Sequence, residues 1–209
     1  MATVARLVEI LAIFLGIAPK TVNVYARALL NAGLLPLSRG RRIEEVEPIH
    51  IVRLLLALAL QPKVKDAAQV VDAHGKMRPG GITPAMIKSN PRLAEAPTAE
   101  SALAEALVML TGSKRDEQSI MSESIIEIVS SWPEISISHP KLGVLYRFTA
   151  PGNTGDLWQA HIKQAATIHG GTLKLLAGAM FSDAPATTPE TPSGVRKSAP
   201  RTYSKQKRK

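Results

Sequence analysis

Gly16 and Pro19 constrain this chain more than any other feature. They lie three residues apart in ILAIFLGIAPKTVNVYARALLN, Ile10 to Asn31, and separate two apolar stripes. Leu7, Leu11, Phe14 and Leu15 recur at helical spacing, so one face of a first helix is apolar. Glycine ends helices because it tolerates a left-handed backbone, which places the stop at Gly16. Proline fits the first turn of a helix, where its missing N–H is not needed, which places the next start at Pro19. Val22, Tyr25, Ala26, Leu29 and Leu30 then form a second stripe, closed by Gly33. Two helices joined by so short a turn must pack closely.

The same punctuation organises the rest of the first 74 residues. LLPLSRGRR (Leu34–Arg42) is too rich in Pro, Gly and Arg to continue a helix. A third helix is expected from about Pro48 to Leu60, with Ile51, Leu54, Leu55 and Leu58 facing inward and Pro62 breaking it. A shorter helix follows in KVKDAAQVVDAHG. Residues 75–97, with four Pro and three Gly, read as a linker. Thr98–Gly112 is amphipathic, with Thr98 as N-cap and Gly112 as stop. The period then changes from helical to alternating in SIIEIVSSW, EISISH and GVLYRFTA, which predicts an antiparallel meander. Trp158, Ala160 and Ile162 alternate as well, so WQAHIKQAATI is read as a fourth strand, with a helix as the alternative. TLKLLAGAMF is a closing helix. The predicted class is α+β: an N-terminal all-helical helix-turn-helix domain (1–74), a linker (75–97), a small helix-plus-β-meander domain (98–181) and a disordered basic C-terminal tail (182–209).

Composition narrows the partners. With no Cys, disulfides, thiol catalysis and Cys-ligated metals are excluded. Aromatics make up 4%, so the core is aliphatic. The apolar run Leu7–Ile17 contains Glu9 and is too short to span a bilayer, so a cytoplasmic protein with no membrane contact is expected. The net charge of +9 is unevenly spread. Residues 1–62 carry +3, residues 63–182 only +1 and residues 183–209 +5. Basic ends favour a polyanion, nucleic acid first. Tail contacts to phosphate are expected from Arg201, Lys205, Lys207, Arg208 and Lys209.

The opening stretch meets the steric needs of a helix-turn-helix. A small residue four before the turn glycine lets the helices approach, and a β-branched residue six after it packs them. Ala12, Gly16 and Val22 stand at those places. The outward face of the second helix then presents Lys20, Thr21, Asn23 and Arg27. Arginine pairs with guanine or phosphate, and asparagine makes paired bonds to adenine. No acidic residue lies between Ala18 and Leu35, as suits a surface facing phosphate. Arg39, Arg41 and Arg42 follow in a Gly-containing turn that would serve as a wing along the flanking backbone. The competing reading is a helical hairpin with a solvated face.

On these residues the segment from about Leu7 to Leu60 resembles the DNA-binding domain of MerR-type regulators. The matching positions are Tyr25, Gly33-Leu34-Leu35, Arg39 or Arg41, and Arg53-Leu54. It departs from that pattern at Ile43, where an aromatic is usual, and lacks the long dimerisation helix. The later layout is similar to small phage or prophage DNA-binding proteins. The resemblance implies double-stranded DNA as partner, binding as a homo-oligomer, a dimer first.

No catalytic constellation is present in the sequence. His50, His74, His139, His161 and His169 form no zinc motif, and His161 and His169, eight apart near Asp156, read as surface or strand residues. GNTGDLW lacks the Lys-Ser/Thr ending of a phosphate loop, and no Ser sits in a nucleophile elbow. Glu44, Glu45 and Glu47 read as helix N-terminal acids. The expectation is a non-enzymatic, sequence-specific DNA-binding regulator without cofactor or metal. The alternatives are a small-terminase-like DNA-packaging protein and an adaptor that does not bind DNA.

Overall fold

The computed structural model describes residues 3–38, 44–80, 96–150 and 163–181. Among these it is α+β, with seven α-helices, mostly towards the N-terminus, and one five-stranded antiparallel sheet. Helix α1 is Val4–Leu15, capped by the Thr3 hydroxyl, which accepts from the Arg6 N–H. Helix α2 is Pro19–Asn31 and α3 is Pro48–Leu60. A single 3₁₀ turn, Val64–Asp66, leads into α4, Ala67–Gly75. Helix α5 is Ala99–Thr111, with Thr98 and Ser101 making a capping box. Helix α6 is Arg115–Glu123, and the closing helix α7 is Gly170–Phe181.

Helix α6 is not expected from the sequence pattern, which shows strands directly after the amphipathic helix. Its nine residues carry little apolar signal, and Met121 is its one fully buried side chain. The helix exists because its short apolar edge packs on α5, α7 and the sheet rather than because of its own periodicity.

Strands β2 (Ile125–Val129), β3 (Glu134–His139) and β4 (Gly143–Thr149) form the expected meander. Two further strands complete the sheet. Arg78–Pro79 (β1) pairs with the end of β4, so the sheet reaches into the stretch read as linker. Proline occurs at sheet edges because it lacks a donor, and Pro79 occupies such an edge. Met77, also in that stretch, is buried. Residues 81–95 lie outside the described set. Ala165–His169 (β5) is a strand at the end of WQAHIKQAATI, while Trp158, Ala160 and Ile162, whose alternation suggested it, lie outside the described residues. Strand β5 does not extend the meander beyond β4. It crosses back to pair with β2, giving the order β1-β4-β3-β2-β5.

Helices α3, α5 and α7 cover the inner side of this sheet. Leu55, Leu56, Leu103, Leu107 and Leu173 meet Ile126, Ile128 and Ile168. The apolar residues of α1–α4 and those of α5, α7 and the sheet belong to one contiguous cluster. Arg53 of α3 reinforces it with a two-bond ion pair to the Glu100 carboxylate of α5, at 2.9 and 3.0 Å. At the α6–α7 corner Gly170 sits directly against backbone, and its N–H donates to the Ser124 carbonyl at 2.7 Å.

Candidate nucleic-acid interface

The turn between α1 and α2 is closed as the sequence requires. Gly16 adopts φ +64°, and its N–H and that of Ile17 both donate to the Ala12 carbonyl. That pair of hydrogen bonds ends α1 in a left-handed cap. Ala12 and Val22 are buried at the helix crossing, and Pro19 occupies the first turn of α2. At the far end Gly33, at φ +73°, turns the chain back, and the Leu34 N–H reaches the Leu29 carbonyl at 2.9 Å.

Helix α2 is divided lengthwise into two unlike faces. Val22, Tyr25, Ala26 and Leu29 are buried. Lys20, Asn23, Val24, Arg27 and Asn31 are exposed, and at 3.6 residues per turn they fall on one stripe opposite the buried one. Thr21 is exposed at the edge of that stripe. Four predicted contact residues are thus brought together on one open face. Val24 and Asn31 belong to the same stripe and were missed, although the helical period places them there. Val24 is apolar and carries no hydrogen-bonding signal.

The residues chosen for a wing have a different fate. Arg39, Arg41 and Arg42 lie outside the described residues, as do Arg201, Lys205, Lys207, Arg208 and Lys209 of the tail and His161 and Asp156. The two ends of the Arg-bearing loop are held together, since the Glu44 N–H donates to the Ser38 hydroxyl at 3.1 Å. The loop's root is braced by Arg53, whose Nη1 donates to the Leu34 carbonyl at 3.1 Å. Arg53 therefore acts inside the protein, as a strut between α3, α5 and the segment that leaves α2. The Glu47 N–H donates to His50 Nδ1 at 3.0 Å at the start of α3. Burial lowers the His50 pKa, and Arg53 nearby adds to this against the pull of Glu47 and Glu100. A neutral ring is what that acceptor role requires.

A second element stands beside the stripe. The Tyr25 hydroxyl donates to the Pro62 carbonyl at 2.9 Å and so ties the turn after α3 to α2. The following residues, Lys63, Val64 and Lys65, are exposed. An open groove runs between this turn and α2, lined by Val24, Arg27, Asn31, Val64 and Lys65 together with three alanines. Lys63 and Lys65 were read only as the start of a short helix. Lys65 lines the groove, and the Tyr25 bond just before it links residues 37 apart in sequence.

Among the described residues no group of three His, Cys, Asp or Glu is arranged to hold a metal ion, and no helix is long and apolar enough to cross a membrane. His139 is buried, with Nδ1 accepting from the Lys141 N–H and Nε2 3.5 Å from Glu123. Comparison with family models, with curated proteins and with solved structures finds no match to this chain.

Proposed function

We propose that this protein binds double-stranded DNA in a sequence-selective way and acts as a transcriptional regulator. The observation that carries the reading is the exposed stripe of α2. It places two cations and two amides on an acid-free helix face, directly opposite the face that packs on α1. A helix presented in this way enters the major groove, where Arg27 addresses guanine or phosphate and Asn23 addresses adenine. Lys20 and Thr21 lie towards the helix N-terminus and contact the adjoining backbone. The Arg39–Arg42 loop and the basic tail add salt-sensitive affinity without selectivity. One such helix offers a small interface, so two copies read two half-sites.

The test uses fluorescence anisotropy with duplexes enriched from a random library, set against scrambled duplexes, across a salt series. The full chain prefers its enriched site. A chain ending at Phe181 keeps that preference but shows a shallower dependence on salt. Asn23→Ala combined with Arg27→Ala loses the preference, at about 1–3 kcal/mol for each base contact. A double variant that binds the enriched site like the wild type refutes the assignment of α2. The mass of the complex separates regulation, with a dimer, from packaging, with a ring of about eight copies or more.

A further inference from the structure

The groove beside α2 combines features that the proposed function does not use. Val24 lies mid-stripe and is 45% exposed, between Lys20 and Arg27. Val64 faces the same groove from the neighbouring turn and is 46% exposed. Two β-branched side chains are thus open to solvent in a groove that also carries Arg27, Lys65 and Asn31. Ala28, Ala32 and Ala68 also line the groove, with Arg27 and Lys65 along it. None of its lining residues is acidic. The Tyr25–Pro62 hydrogen bond, with the packing of α2 on the Val64–Asp66 turn and α4, joins the two walls.

An apolar contact flanked by cations matches one feature of duplex DNA. In the major groove, thymine is distinguished by its C5-methyl group, and small apolar side chains recognise it. We infer that Val24, with Val64 beside it, is a receptor for thymine methyl groups, while Lys65 and Lys63 hold the phosphates of the strand alongside. This rests on the DNA-binding reading and adds a specificity determinant to it. Arg27 and Asn23 select by hydrogen bonding, and Val24 selects by shape and dehydration. The site preferred by this protein therefore contains thymine at a position that no polar side chain of α2 reads.

Replacing thymine by uracil deletes only the methyl group, so it isolates this contact. The enriched duplex is resynthesised with uracil at each thymine in turn and bound to the intact protein. At one or two positions the wild type loses about fourfold in affinity, the effect of leaving one methyl group unburied. Val24→Ala binds the thymine and uracil versions of those positions equally. The ratio is taken within each variant, so it is independent of the folded fraction. Lys65→Ala weakens binding to every duplex alike, reduces the salt slope and keeps the thymine preference. An acidic helical peptide is titrated in parallel.

Equal binding of thymine and uracil by the wild type overturns the receptor. If Asn23→Ala combined with Arg27→Ala abolishes site preference in that case, the DNA-binding reading stands without it. A Val24→Ala protein that keeps the wild-type ratio overturns it as well. If the peptide is bound in a Val24-dependent way and the duplexes are not, the groove is a protein-docking surface, and both readings fall.

Discussion

Two adjacent glycines, Gly170 and Gly171, should respond to the same substitution in opposite directions. Both open α7, and neither has a positive φ. A Cβ on Gly170 would stand 1.8 Å from the Met121 carbonyl oxygen and 3.0 Å from the Ser122 carbonyl carbon. On Gly171 the nearest atom, the Ser122 oxygen, is 3.9 Å away, an ordinary contact. Relief at Gly170 therefore needs more than about 1 Å of backbone movement. The Met121 carbonyl is held in place by the Ser124 N–H at 3.2 Å, and the Gly170 N–H is spent on Ser124. If α7 withdraws instead, it lifts Leu173, Leu176, Ala177 and Met180 out of the core. Overpacking of this kind costs about 1–3 kcal/mol, and a backbone obstruction belongs at or above the upper end. Gly170→Ala should thus lose about 3 kcal/mol or more. Gly171→Ala should gain about 0.5–1 kcal/mol from helix propensity and a stiffer unfolded chain. Urea unfolding followed by far-UV circular dichroism measures both. A Gly170→Ala protein within about 1 kcal/mol of the wild type would show that the α6–α7 corner is not packed as described.

Three further outcomes follow from single contacts. Arg53→Met leaves the Glu100 carboxylate and the Leu34 carbonyl without their partner, and partial exposure limits the loss to about 1–2 kcal/mol; adding Glu100→Leu restores much of it, as a double-mutant unfolding cycle would measure. Tyr25→Phe removes the bond to Pro62 and costs about 0.5–1.5 kcal/mol in chemical denaturation, with faster amide exchange in the 62–66 turn. For Glu134, burial alone would raise the pKa. The hydrogen bonds from Arg147 at 2.8 Å and the Trp132 indole at 3.0 Å, with the Arg147 and Lys163 charges, more than reverse this and hold it below the ordinary 4.5. A carboxylate depressed in the folded state contributes stability that is complete above the unfolded value and is lost as pH falls through the folded one. Unfolding titrations should therefore show wild-type stability dropping below about pH 4.5, with a weaker drop in Glu134→Gln.

Much of the fold was legible because its punctuation is local. Gly16, Pro19, Gly33, Pro48 and Pro62 act through their own backbone geometry, so the boundaries of α1, α2 and α3 followed from residue type. The alternation in EISISH and GVLYRFTA likewise identified strands whose inner residues are buried. Helix α6 was not legible because its stability comes from what it packs against. Strand β1 was hidden in a stretch rich in Pro and Gly, since two residues pairing with a distant edge leave no periodic trace.

The same division runs through the candidate site. The sequence by itself determined which residues of α2 share the open face. Helical phase is a property of spacing alone, and the acid-free run from Ala18 to Leu35 can be counted without a structure. Tertiary structure alone decided what stands beside that face. It turned Arg53 inward as a strut, brought Lys65 alongside α2 next to the Tyr25–Pro62 bond, and left Val24 and Val64 uncovered. Those placements depend on contacts between residues far apart in the chain. Pairings of that kind are set by the packing of the whole core, and no local pattern records them.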